Sequence, residues 1–167
     1  MQRVRSRPPT SAVEPRHACL ARIRRFTRPV SQNEAQDVVL LVDIANVAGS
    51  RPDGWWRDRP GAASRLLESL ADLRGATEVH PGGKKPVRLS AVVAVIEGAA
   101  RSAAAPESVT VVPAAQDGDT EVVSQARRIL ADGKVPLVVT ADRGLRGRLP
   151  AGSLVAGPEW LNRLVGR

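Results

Sequence analysis

The stretch VVLLVD, Val38 to Asp43, is five consecutive apolar residues closed by an acid. Unbroken β-branched and aliphatic character predicts a strand covered on both faces. The chain then reads as a loop through Arg51, Asp53, Trp55 and Trp56. Leu66, Leu67, Leu70 and Leu73 recur at helical spacing behind Pro60, which predicts a helix over 61–73. GATEVHPGGKKP, 75–86, has the Gly, Pro and Lys content of a loop. VRLSAVVAVIE and SVTVVP read as strands. In GDTEVVSQARRILADG, Val122, Val123, Ala126, Ile129 and Leu130 share one side of a helix that Gly133 stops. VPLVVTAD is a further strand, RGLRGRL a short helix or turn, SLVAG a last short strand, and PEWLNRLV a closing helix led by Pro158. No internal repeat appears. Strands alternating with helices predict an α/β fold, an open, mostly parallel sheet with helices on both faces.

Composition narrows this without changing it. At 167 residues and 43% hydrophobic content, one domain with a real core is the expectation. With one Phe and no Tyr, that core must be aliphatic, with the three Trp as special cases. The lone Cys19 excludes an intramolecular disulfide and a multi-cysteine zinc cage, so a reducing cytoplasm is the expected home. The longest apolar run, Ala91 to Ile96, is far short of the roughly 18 residues that span a bilayer, and no membrane association is expected.

The net charge of +8 is unevenly spread. Residues 1 to 38 hold eight Arg against three acids, whereas 39 to 167 hold 17 Lys plus Arg against 14 acids. The opening stretch is rich in Arg, Pro and Ser without an apolar period. Residues 1–37 are therefore expected to be a disordered or loosely helical basic extension, and 38–167 the folded domain. The extension lacks the apolar core of a secretory signal, and Glu14, Glu34 and Asp37 count against a transit peptide. A solvated tail is favoured over a dedicated nucleic-acid arm.

Ligands of open parallel sheets bind outside the carboxyl ends of the strands. Asp43 and Asp142 each follow a strand, and Asp117 and Asp119 lie between a strand and the next helix. Three chain segments thus deliver acids to one edge. Carboxylates brought that close raise one another's pKa unless a cation compensates. All-oxygen sites suit Mg²⁺ or Mn²⁺, which commonly bridge carboxylates to substrate phosphate and can activate water for phosphodiester hydrolysis. His17 and Cys19 lie in the extension and His80 in a loop, so no covalent chemistry offers itself nearby.

LLVDIANVAGS, DGDTEVVSQARRI and VVTADRGLRGRL together resemble the PIN-like nucleases, in particular their NYN branch, over residues 38 to about 165. That pattern is an Asp with an Asn three places on after the first strand, a mid-domain acid opening a helix, and a (T/S)xD acid after a later strand. The resemblance implies a Rossmann-like sheet and a Mg²⁺- or Mn²⁺-dependent endoribonuclease acting on RNA. Asp43, Asp119 and Asp142 would be metal ligands and Asn46 would orient Asp43 or a phosphate, with Asp117 a further ligand candidate. Glu97 is the one well-placed acid between the first and third motifs, its role open.

Blander readings stand beside these. Asp142 and Asp119 have equal claims to be helix N-caps, whereas Asp43, followed by a loop, has no helix to cap. Trp55 and Trp56 read as a hydrophobic lid ahead of base stacking, and Trp160 as core. Lys84 and Lys85 read as a solvated loop. Arg51, Arg57 and Arg59 on one loop and Arg143, Arg146 and Arg148 on another are expected to meet substrate phosphates. Two other functions use the same residues: a nucleoside triphosphate pyrophosphohydrolase or other small-nucleotide hydrolase, and an RNA-binding module whose acids only cap helices. Oligomeric state and protein partners have no signature in the sequence.

Overall fold

The computed structural model describes residues 35–83 and 85–167; residues 1–34, with His17 and Cys19, and Lys84 lie outside the described residues. Most of the expected basic extension therefore falls outside them. The elements run β1 (Gln36–Asp43), α1 (Ile44–Gly49), α2 (Arg59–Leu70), β2 (Thr77–Val79), β3 (Pro86–Ile96), β4 (Thr110–Pro113), α3 (Gly118–Ala131), β5 (Val135–Val139), α4 (Arg143–Arg148), β6 (Leu154–Ala156) and α5 (Pro158–Leu164). Short 3₁₀ turns cover Trp55–Arg57, Ala71–Leu73 and Gly98–Ser102.

The sheet order is β2-β3-β1-β5-β6, with β4 added alongside β3. All pairings are parallel except β2 with β3. The expected α/β architecture is thus present, a curled, mostly parallel sheet between two helical layers.

Strand periodicity explains the two layers. Successive side chains of a strand point to opposite faces. Val38, Leu40 and Val42 join one core with residues of α1, α2 and α5, while Val39 and Leu41 join a second with residues of α3 and α4. Both cores are aliphatic, with Trp160 buried in the first. Among the described residues, no helix is long and apolar enough to cross a membrane.

Three local expectations need correction. The segment after Asp43 is not a loop but the short helix α1, whose Ile44, Val47 and Ala48 are buried. That i, i+3, i+4 set is only a turn and a half long, too short for periodicity to announce. The 75–86 stretch contains β2, held by pairing with β3 and by the Trp160 indole N–H, which donates to the Val79 carbonyl at 3.1 Å. Those tertiary contacts leave no trace in local pattern. α2 starts at Arg59, earlier than its leucine spacing suggests, because Asp58 caps it by accepting from the Gly61 N–H at 2.9 Å.

Candidate active site

From β1 the chain passes to β3 on one side, and after β4 it returns through α3 to β5 on the other. Strand order therefore reverses at β1, and a doubly wound sheet opens its crevice at such a point. Asp43 closes β1, Glu97 follows β3, Thr140 to Asp142 follow β5, and Asp117 and Asp119 open α3.

Asp43 is only 7% exposed. Its Oδ1 accepts from the Asn46 backbone N–H at 3.1 Å, capping α1, and its Oδ2 accepts from the Thr140 hydroxyl at 3.2 Å. Asp43 is therefore an N-cap after all, because the helix it caps was hidden from the sequence. Burial pushes its carboxyl above the ordinary value, with smaller upward contributions from Asp119 and Glu97. Both of its hydrogen-bond partners are neutral, and no cation pairs with it among the described residues.

Asp119 is half-buried in the first turn of α3 but is not its cap; Asp117 is, accepting from the Thr120 N–H at 2.8 Å. Burial raises the Asp119 carboxyl, and Asp142, Asp117 and Glu97 add to the rise while Arg148 opposes it. The same cap contact lowers the Asp117 carboxyl. Asp142 caps α4 through the Leu145 N–H at 2.7 Å. Glu97 accepts from the Gly118 N–H at 2.7 Å. A Cβ on Gly118 would stand 2.9 Å from that Glu97 oxygen, so the glycine permits the approach.

The acids thus form one electrostatic neighbourhood, drawn from four chain segments. Its donors are all oxygen, which fits a hard divalent cation in chemistry. Among the described residues, however, no three His, Cys, Asp or Glu stand together as a ready-made metal site. Three of the carboxylates also serve as helix caps.

Asn46 makes two contacts at this corner. Its backbone positions Asp43, while its side-chain Oδ1 accepts from the Ala141 N–H at 2.7 Å and ties α1 to the loop carrying Asp142. Thr140 is a centre missed by the sequence, legible only as the first letter of the (T/S)xD pattern. Fully buried, it donates to Asp43 and accepts from the Asp142 N–H at 3.1 Å, linking the first and last acids.

The arginines divide. Arg146 donates through Nε and Nη2 to the Thr140 carbonyl, at 3.0 and 2.6 Å, and braces the β5–α4 corner. Arg148 lies 3.6 Å from Asp119 and donates to the Thr120 hydroxyl. Arg51 pairs with Asp53 at 3.7 Å, and Arg59 stacks over the Trp55 ring, 5.3 Å from its centroid. Arg57 and Arg143 are exposed, and neither has an ion pair among the described residues. Two further arginines without a sequence signal, Arg127 and Arg128, line a groove of about 680 Å³ with Thr120, Ser124 and Arg148. Trp55 packs beside Gly49 at the end of α1, while Trp56 is 52% exposed.

No family model and no curated protein matches the chain. Among solved structures, the chain is similar to a mutant form of Rae1 (YacP) from Bacillus subtilis. The TM-score is 0.53 at 19% identity, with 77% of this chain and 75% of that one covered. At that identity the likeness is one of fold.

Proposed function

We propose that the chain is a metal-dependent phosphodiester hydrolase, an endoribonuclease of the PIN-like, NYN type that uses Mg²⁺ or Mn²⁺ and acts on RNA. The observation that carries the reading is Asp43: a buried carboxyl at the strand-order reversal, raised by burial and by neighbouring acids, with no cation paired to it among the described residues. A fold maintains such a charge at a cost unless a ligand repays it. The motif resemblance supports the same class, and the fold shared with Rae1 fits the α/β architecture that the resemblance implies.

In this reading Asp43, Asp119 and Asp142 would hold the ion, which when bound polarises a phosphoryl oxygen and acidifies a water. Thr140 and the Asn46 backbone fix the Asp43 carboxylate. Burial and the neighbouring acids raise the Asp119 carboxyl, which makes its carboxylate the more basic and suits it to accept a proton from the attacking water. Arg57 and Arg143 would meet phosphates flanking the scissile bond.

A second reading has its own observation. Asp43, Asp117 and Asp142 all cap helices, as they would in an RNA-binding module without catalysis. One experiment separates the readings: RNA and free nucleoside triphosphates are offered side by side in Mn²⁺ or EDTA, with Asp142→Asn as the blank. Asn is also a good N-cap, so the blank keeps its fold. Mn²⁺-dependent RNA cleavage absent from the blank is expected. RNA binding without cleavage selects the module, and triphosphate turnover that exceeds RNA cleavage selects a pyrophosphohydrolase.

A further inference from the structure

Beside the acids is a cavity of about 310 Å³ that the proposed hydrolysis does not use. Its lining is mostly aliphatic, with Ile44, Ala45 and Ala48 of α1 among it, and also holds Trp55 and Arg59 together with the polar Glu97 and Gln116. The volume is at the small end of the ~300–1,000 Å³ typical of ligand pockets, enough for one flat heterocycle rather than a dinucleotide.

Three features define what fits. The indole offers an aromatic wall, and Arg59 over the ring stiffens it and adds a planar cation. Glu97 spends one oxygen on Gly118 and keeps Oε1 for a donor, while the Gln116 amide can both donate and accept. The cavity also adjoins the acid corner. Ile44 and Ala45 follow Asp43 directly, and Glu97 both lines the cavity and acts on the Asp43 and Asp119 carboxyls.

We propose that this cavity is a subsite for one unpaired nucleobase, stacked against Trp55 and read along its polar edge by Glu97 and Gln116, next to the phosphate at the acid corner. The phosphate half of this statement rests on the nuclease reading; the base half does not. Stacking on an aromatic wall with hydrogen bonds to a splayed base is how single-stranded RNA is recognised.

The test uses nucleosides, whose lack of phosphate avoids repulsion from the acids, in EDTA with tryptophan fluorescence as the readout. Saturable quenching by nucleosides but not by ribose is expected. Ala45→Leu, which fills the slot from the half-buried face of α1, should weaken it by about tenfold, the range for losing one base–aromatic stack. Gln116→Ala, at an exposed position, covers the case in which the filled variant melts early; it should change the order of affinity among the four nucleosides. No saturable quenching, or ribose quenching as well as nucleosides, overturns the subsite. Nucleoside binding by a protein that cleaves no RNA leaves the subsite standing and removes the nuclease reading. Mn²⁺-dependent cleavage with no nucleoside binding and equal rates on all four homopolymers does the reverse.

Discussion

Asp37 and Asp43 stand at opposite ends of β1, and their surroundings differ in kind. At the amino end, the Arg88 guanidinium of β3 grips Asp37 with two hydrogen bonds of 2.6 Å and lowers its carboxyl. At the carboxyl end, Asp43 is buried among other acids and its carboxyl is raised. One strand thus carries a compensated acid where the sheet is closed by an ion pair, and an uncompensated one where the crevice opens. Stability alone would favour the first arrangement at both ends. The second arrangement supports the proposed ligand site at that end.

The largest effect should come from Asp43→Asn. RNA cleavage in Mn²⁺ should fall by at least about two orders of magnitude, the scale of losing one stabiliser of transition-state charge. In EDTA the same variant should melt a few degrees above wild type, the scale on which about 1 kcal/mol moves a domain of this size, because Asn keeps the α1 cap and sheds the buried charge. The pH dependence follows the same sign. A carboxyl raised in the folded state binds its proton more tightly there than in the unfolded chain. The contribution of Asp43 to the stability of metal-free wild type should be fully present below the ordinary value of 3.8 and be lost as pH rises through it toward the raised value, whereas Asp37 and Asp117, whose carboxyls are lowered, contribute with the opposite sign. Thermal melts across that window should fall more steeply for wild type than for Asp43→Asn.

Next in size is Thr140→Val. It strips Asp43 of its hydroxyl donor and leaves the Asp142 N–H without an acceptor, a cost of about 1–3 kcal/mol for a buried polar group left unpaired. Urea denaturation should report the loss, and Thr140→Ser should recover most of it. If Val is tolerated, the bridge between the first and last acids is not structural.

The arginines offer a finer division. Replacing Arg57 and Arg143 by Ala should raise KM for RNA and lower the salt slope by about one per lost phosphate contact, with kcat little changed. Arg146→Ala should instead lower the melting temperature, since its guanidinium holds the Thr140 carbonyl. The smallest effect belongs to the other end of β1: Asp37→Asn breaks an exposed ion pair and should leave both melting and cleavage nearly unchanged.

The sequence carried the sheet and its large helices because their apolar periods are long. VVLLV, the α3 repeat and the turn glycines agree with the fold that forms. It carried the placement of the acids as well, because strand order puts the ends of β1, β3 and β5 on one edge. α1 and β2 escaped, since six residues are too few for a helical period and β2 exists only through its partners. The caps escaped with them: an Asp reads as a helix cap only when the helix is visible. Thr140 and Asn46 act through contacts 97 and 95 residues apart in the chain, which local pattern does not encode, and Arg146 folds back on the Thr140 carbonyl in a corner whose geometry no apolar period reveals.

If the carboxyl end of β1 is held for a divalent cation, melting wild type and Asp43→Asn across a Mn²⁺ titration from EDTA upward will show it. The curves should cross: the variant is the more stable protein without metal, and wild type overtakes it as Mn²⁺ rises, because a ligand that binds only the folded state stabilises it. Two parallel lines, with wild type gaining nothing that the variant lacks, would contradict it.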